Sequence, residues 1–185
     1  MRVLYFTRHG RTVMNDMRLV CGNSETDLTP EGEEQALSLA DQIISQNIHI
    51  DEILSSPLSR ALKTAELIAA KINVPFKSEE RLRERDCGIY ENTSWETEEF
   101  QKTRREIAYN MQTGETVLHT VQRIYNLLDE LTSGKNAEKV FLLVGHNGIS
   151  RAVESYFRNM TTEEFCGFKI KNCELRKYEY QDKTG

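Results

Sequence analysis

Val3-Leu4-Tyr5-Phe6-Thr7-Arg8-His9-Gly10-Arg11-Thr12 runs from an apolar, strand-forming stretch straight into a basic turn that carries a histidine. The first five residues read as a buried strand, and the chain must turn at Gly10 to leave the sheet. Open α/β sheets bind ligands just beyond the carboxyl ends of their strands, which sets His9 facing a cleft. A neutral imidazole can attack phosphorus, while Arg8 and Arg11 offer charge-assisted donors suited to phosphoryl oxygens. A histidine at a strand end is also a common structural residue, so this turn needs support from the rest of the chain.

That support begins at a second strand end. Val140-Phe141-Leu142-Leu143-Val144 is the continuous apolar run of a parallel strand covered on both faces, and it ends at Gly145-His146-Asn147-Gly148. A helix from Ile149 to Phe157 follows at once, so His146 and Asn147 lie beside helix N-terminal amides that favour anions.

Strand and helix signals alternate between the two histidine turns. Thr29 reads as an N-cap and Pro30 as the first residue of a helix that continues to about Ser45. Asp51 to Ser56 reads as a short strand, and Pro57 as the opening of a helix through Ala61, Ala65, Ile68 and Ala69. Arg60 in its first turn opposes the helix dipole, which predicts an anionic partner, with Glu31 and Asp51 as surface candidates. Val74 to Lys77 is a further edge strand. In the loop Arg81 to Asp86, Glu84 lies between two arginines, and it is either a functional carboxylate or one member of a solvated charge run.

Glu91 to Asn110 is strongly polar, with Trp95 and Phe100 as its main apolar anchors, which suits an exposed helix or lid. Val117, Val121, Ile124, Leu128 and Leu131 recur at helical spacing up to Gly134, with His119 off that stripe. Residues 168 to 180, with Ile170, Leu175 and Tyr178, read as one or two antiparallel strands closing an edge. The sum is a three-layer α/β/α sandwich with a mostly parallel central sheet and an antiparallel edge. It is expected to be one domain over residues 1–185, with 91–113 as a small lid or cap.

Composition narrows the chemistry. The 185 residues fit one domain, and 38% hydrophobic with 29% charged residues is a soluble globular composition without a membrane-span run. The N-terminal stretch lacks a signal-peptide pattern, so a cytoplasmic protein is expected. Cys21, Cys87, Cys166 and Cys173 are scattered and read as reduced thiols. None opens the C-x5-R pattern of a cysteine phosphatase, because the residues six positions on are Asp27, Thr93, Asn172 and Glu179. A net charge of -5 argues against nonspecific nucleic-acid binding, so an anionic substrate must meet a local positive pocket. There is no P-loop, no HExxH and no Cys/His ligand spacing, so no metal and no cofactor are implied.

Two strand-end histidines, Arg60 after another strand and Glu84 in a charged loop together resemble the histidine phosphatase superfamily, the phosphoglycerate mutase-like family. The resemblance covers nearly the whole chain. It includes Arg8-His9-Gly10-Arg11-Thr12 with Asn15, Cys21-Gly22, Asp27-Leu28-Thr29 with Gly32, Ser55-Ser56-Pro57 through Arg60-Ala61, Leu82 with Glu84, and Gly145-His146. It implies that His9 accepts the phosphoryl group, that Arg8, Arg60 and His146 grip its oxygens, and that Asn15 adds a neutral donor. Glu84 matches the family's general acid, which protonates the departing alkoxide and then activates water. Cys21, Gly22, Asp86-Cys87 and Asn147-Gly148 match stretches that line the pocket in relatives, although Gly22 and Gly148 equally suit plain turns.

The chemistry requires a neutral His9, which neighbouring arginines favour, and a protonated Glu84, so Arg83 and Arg85 are expected to point away from it. Mutases of the family usually carry a longer insertion after Glu84. Here about thirty residues separate Glu84 from Gly114, and Phe100, Arg104 and Arg105 match the mutase pattern only faintly. The expectation is therefore a metal-independent phosphomonoesterase acting on a phosphorylated small molecule. A cofactor-dependent phosphoglycerate mutase and an inactive phospho-ligand-binding relative are the alternatives. Gly88-Ile89-Tyr90-Glu91-Asn92 resembles the Gly-x-Trp-Glu-Gly of small-metabolite phosphatases but departs from it at Tyr90 and Asn92. Specificity is expected to reside in Trp95 to Thr113. Neither the individual substrate nor the oligomeric state is legible.

Overall fold

A computed structural model of the chain describes residues 2–181. In chain order the regular elements are β1 (Arg2–Arg8), α1 (Val13–Asp16), α2 (Pro30–Ser45), β2 (Glu52–Ser55), α3 (Ser59–Ile72), β3 (Phe76–Ser78), α4 (Glu98–Thr103), α5 (Val117–Leu131), β4 (Phe141–Gly145), α6 (Asn147–Phe157), α7 (Thr162–Gly167) and β5 (Leu175–Tyr180). The strands form one sheet in the order β3-β2-β4-β1-β5, parallel throughout except for the antiparallel pairing of β5 with β1.

Alternation along the strands divides the core into two layers. Leu4, Phe6, Leu54 and Leu143 point to one face, where Ile124, Leu127 and Leu128 of α5 and Val153 of α6 cover them. Tyr5, Ile53, Leu142 and Val144 point to the other, against Ala36, Leu39 and Ile43 of α2 and Ala61, Ala65 and Ile68 of α3. A strand with apolar residues on both faces can be satisfied only between two helical layers, and this fixes the three-layer arrangement.

Helix α2 begins as its sequence dictates, with Thr29 Oγ1 accepting from Gly32 N at 3.1 Å and Pro30 at the first position. Helix α3 differs from expectation and starts at Ser59 rather than Pro57. Leu58 is extended and fully buried, and its amide donates to Ser56 Oγ, which holds Pro57-Leu58 outside the helix. The acceptor for Ser59 N is the carboxylate of Glu25, which comes from a distant loop. The third strand is shifted to Phe76–Ser78, residues 168–180 supply a single strand, and α7 with its Thr161/Glu164 capping box was not expected.

Strands β1 and β4 lie side by side with Arg8 opposite Gly145. The chain leaves β1 for the face covered by α2 and leaves β4 for the face covered by α6. The carboxyl ends of these two strands therefore form a topological switch point, where a crevice opens. Among the described residues no helix is long and apolar enough to cross a membrane.

Candidate active site

His9 and His146 each follow the last residue of neighbouring strands, and their ring centroids stand 5.1 Å apart. The His9 amide donates to the Gly145 carbonyl at 3.0 Å, which ties the two turns together. The His9 ring is 4% exposed, and its Nδ1 lies 2.7 Å from the Gly10 carbonyl. A carbonyl only accepts, so Nδ1 carries the proton and the Nε2 lone pair is left available. Burial, then Arg8 and Arg60, hold the His9 pKa well below the usual histidine value, so the ring is neutral at pH 7. This is the charge state a nitrogen nucleophile needs.

Arg60 is 1% exposed and has neither surface partner that its position suggested. Its terminal nitrogens donate to the carbonyls of Ser24 at 2.7 Å, Gly22 at 2.7 Å and Cys21 at 3.5 Å. Three neutral acceptors orient the guanidinium without cancelling its charge. Arg8 donates to the Ile170 carbonyl at 3.3 Å. The Nε atoms of Arg8 and Arg60 and Nδ1 of His146 are all buried without a protein partner. Orphaned buried donors are rare in folded proteins and mark a place for a missing acceptor. The other ring nitrogen of His146 lies 2.8 Å from Ser56 Oγ, and its pKa too is well below the usual value through burial, then Arg60.

Glu84 is brought to the start of α6, where its carboxylate accepts from Gly148 N at 2.6 Å and Ile149 N at 3.1 Å, and also from Arg85 N at 2.8 Å. A Cβ at Gly148 would sit 2.3 Å from Glu84 Oε1, so the glycine is what admits the carboxylate. Arg123 of α5 donates to the Arg81 and Glu84 carbonyls and pairs with Glu115 at 2.7 Å, fixing the loop from behind.

The two neighbours of Glu84 behave differently. Arg83 turns outward to Glu80 and Asn23. Arg85 corrects the expectation in part. Its guanidinium is turned from the Glu84 carboxylate, yet it is buried and donates to the carbonyls of Arg104, Tyr109 and Glu115. It thereby fastens both ends of the 104–115 stretch.

A cleft of about 870 Å³ opens over this floor, lined by Arg8, His9, Asn15, Cys21, Glu84, Asn147 and Gly148 among others. Asn15 Oδ1 is occupied by Thr12 N and Asn172 Nδ2, which leaves its amide as the donor. Asn147 Oδ1 accepts from Ile170 N, so its amide likewise remains. Gly22 is not part of the lining. It lies beneath, donating to Glu91 and offering its carbonyl to Arg60. Arg11 pairs on the surface with Asp16 and Glu31, away from the pocket.

Three contributors escaped the sequence reading. The Glu91 carboxylate accepts from the amides of Gly22, Asn23, Ser24 and Cys87 and from the Ser24 hydroxyl. It therefore shapes the loop whose carbonyls hold Arg60. The legible signal was the Gly88–Asn92 motif, and both of its departures keep what the position requires. Asn92 has φ +64°, a conformation that asparagine tolerates in place of glycine, and the Tyr90 ring packs 5.6 Å from Phe100. Asn172 Nδ2 donates to the His9 carbonyl at 2.8 Å, and Arg151 lines the cleft. Phe100 is buried with Val20, Tyr90 and Met111, whereas Trp95 is 46% exposed and lines the cleft instead of anchoring the segment. Among the described residues no group of three His, Cys, Asp or Glu side chains is placed to hold a metal ion.

The sequence profile of the histidine phosphatase superfamily (branch 1) matches residues 4–185. The chain belongs to this superfamily. A protein named Probable phosphoglycerate mutase GpmB from Salmonella arizonae is 29% identical over 189 residues, covering 97% of this chain and 85% of that one, and its Escherichia fergusonii counterpart aligns equally. Among solved structures, a mycobacterial glucosyl-3-phosphoglycerate phosphatase in complex with VO3 superposes with a TM-score of 0.82 at 21% identity, covering 96% of this chain and 90% of that one. The alpha-ribazole phosphatase from Shigella flexneri gives 0.81 at 22%, covering 97% and 91%. Both solved structures share the fold over nearly the whole chain.

Proposed function

We propose that the protein is a phosphomonoesterase that hydrolyses a phosphorylated small molecule through a phosphohistidine on Nε2 of His9. The observation that carries this reading is the Nδ1 hydrogen bond of His9 to Gly10 within a buried arginine pocket, which leaves Nε2 unprotonated in a residue that lines the cleft. In the first step Nε2 forms a bond to phosphorus as the ester P–O bond breaks. Arg8, Arg60, His146 and the Asn15 amide hold the equatorial oxygens, where positioning and positive charge do most of the work in phosphoryl transfer. Glu84 gives its proton to the leaving alkoxide, then takes one from the water that attacks the phosphohistidine, which restores His9 and Glu84 and releases phosphate.

Side chains supply the positive charge in this scheme, so turnover is expected without added metal and in EDTA. Residues 1–185 act as one catalytic domain, with 91–113 capping the cleft. Cysteines without disulfides fit a cytoplasmic setting. Hydrolysis of a chromogenic phosphomonoester by wild type and His9→Ala tests the reading, and the absence of His9-dependent turnover would leave a phospho-ligand-binding role in its place.

A mutase reading is favoured by one observation besides the GpmB relatives, namely that Arg104 lines the cleft. Phosphorus NMR on 3-phosphoglycerate with catalytic 2,3-bisphosphoglycerate separates the two. Free phosphate supports hydrolysis, and rapid 2-phosphoglycerate without phosphate supports the mutase.

A further inference from the structure

Every backbone polar group of the turn His9-Gly10-Arg11 has a partner. His9 N donates to the Gly145 carbonyl, the His9 carbonyl accepts from Asn172 Nδ2, Gly10 N donates to Thr64 Oγ1 at 3.0 Å, and the Arg11 carbonyl accepts from Thr29 N at 2.9 Å. The remaining two groups belong to one peptide unit, the bond between Gly10 and Arg11. Its carbonyl oxygen receives Nδ1–H of His9 at 2.7 Å, and its N–H donates to the side-chain carbonyl of Gln35 on α2 at 2.9 Å. The Gln35 amide is held the right way round, because its Nε2 donates to Glu31 Oε1 at 3.1 Å and Glu31 is itself paired with Arg11. Glycine permits this close approach of α2 to the turn, since a Cβ at Gly32 would collide with the Arg11 carbonyl oxygen.

We propose that Gln35 is a positioning residue for the nucleophile, fixing the His9 tautomer through the peptide unit between Gly10 and Arg11. This deepens the phosphomonoesterase reading and rests on it for its catalytic consequence. A peptide unit is planar, so holding its N–H also fixes the direction of its carbonyl. Hydrogen bonds in a chain polarise one another, and the carboxylate of Glu31 at the outer end strengthens the Gly10 carbonyl as an acceptor at the inner end. Which ring nitrogen of a histidine carries the proton is set by the hydrogen bond that the ring makes. Without the Gln35 acceptor the Gly10 carbonyl is free to tilt and the ring gains its other tautomer. Nε2 then carries a proton where the bond to phosphorus must form.

Nitrogen NMR of histidine-labelled protein reads the tautomer directly, with the His9 signals assigned by their absence in His9→Asn. Wild type at neutral pH is expected to show a protonated Nδ1 and a bare Nε2. Gln35→Met keeps length and helix propensity but offers no strong acceptor. It is expected to give a mixture of tautomers and to lower kcat by about tenfold with KM little changed, the scale of a lost orienting partner. Gln35→Leu is a second acceptor-free variant, and circular dichroism confirms the fold of each. Gln35→Glu retains an acceptor and is expected to retain both the tautomer and most of kcat. A pure Nδ1–H tautomer in the Met and Leu variants, or its loss in Gln35→Glu as well, overturns the relay, and a mixed tautomer with unchanged kcat overturns its catalytic part. The tautomer is read without turnover, so a Gln35-dependent tautomer in a protein that hydrolyses no phosphomonoester would sink the phosphatase reading alone.

Discussion

The amide of Gly148 donates to the carboxylate of Glu84 at 2.6 Å, joining the first turn of α6 to a loop on the far side of the sequence. This contact exists because residue 148 has no side chain. It seats Glu84 at the turn that follows His146, in the cleft that His9 also lines. Two turns that look alike in sequence thus do different work. In the proposed mechanism the first carries the nucleophile, and the second carries both a phosphoryl ligand and the cradle of the acid.

Gly148→Ala is expected to displace Glu84, since the new Cβ would stand 2.3 Å from Oε1. Loss of general acid–base catalysis lowers kcat by about 100-fold or more. Alanine is about 1 kcal/mol better than glycine in a helix, so the melting temperature is expected to change little. Steady-state kinetics and a thermal melt check both halves, and undiminished kcat would show that the Glu84 position is immaterial to catalysis.

The two buried histidines give stability a defined pH dependence. Both folded-state pKa values lie well below 6.5, the reference for the unfolded chain. Below pH 6.5 the unfolded chain binds protons that the folded pocket refuses. Stability is therefore complete above that pH and falls as pH drops toward the folded-state values, by up to about 1.4 kcal/mol per pH unit for each ring. Urea unfolding of wild type and His9→Asn between pH 7.5 and 5.5 measures this, with the variant expected to lose less stability over the range. Parallel curves would refute it.

Glu91→Gln leaves one acceptor oxygen where two now receive five donors. The new amide would face N–H groups, at a cost of about 2 to 4 kcal/mol for disturbed charge-assisted bonds. The Arg60 carbonyl clamp loosens with the loop, so affinity for inorganic phosphate is expected to fall as well. Calorimetry with phosphate decides the matter. An unchanged affinity would reduce Glu91 to a scaffold residue.

Ser56→Ala removes the partner of His146 Nε2 and leaves a buried ring with no hydrogen bond at either nitrogen. A stability loss of about 1 to 3 kcal/mol follows from the unsatisfied group. When Ser56 donates to Nε2, the His146 proton resides on Nδ1 and is free for a phosphoryl oxygen, so KM is expected to rise by about tenfold with the loss of one oriented donor. A stability loss with unchanged KM would confine Ser56 to packing.

Much of the fold was legible because it rests on local periodicity. The run Val140 to Val144 has to be a two-sided strand, and Thr29-Pro30 has to start a helix. The start of α3 was misplaced because its cap, Glu25, comes from a distant loop rather than from the residues beside Pro57. Trp95 was misjudged for a related reason. A large aromatic in a polar stretch suggests an anchor, but the small core under the segment is filled by Phe100, Tyr90 and Met111, leaving Trp95 to the cleft.

By itself, the sequence determined which residue types stand at the strand ends. His9 after Arg8, His146 after Gly145 and Arg60 in the first turn of a helix follow from apolar runs and turn signals that act over a few residues. Only the tertiary structure decided what each group can do there. The parallel register that sets Arg8 against Gly145 brings the histidines together, and three loop carbonyls hold Arg60 without neutralising it. Neutral rings, uncompensated arginines and a seated carboxylate depend on burial and on partners distant in the chain. Desolvation and hydrogen-bond geometry arise only once the layers have packed.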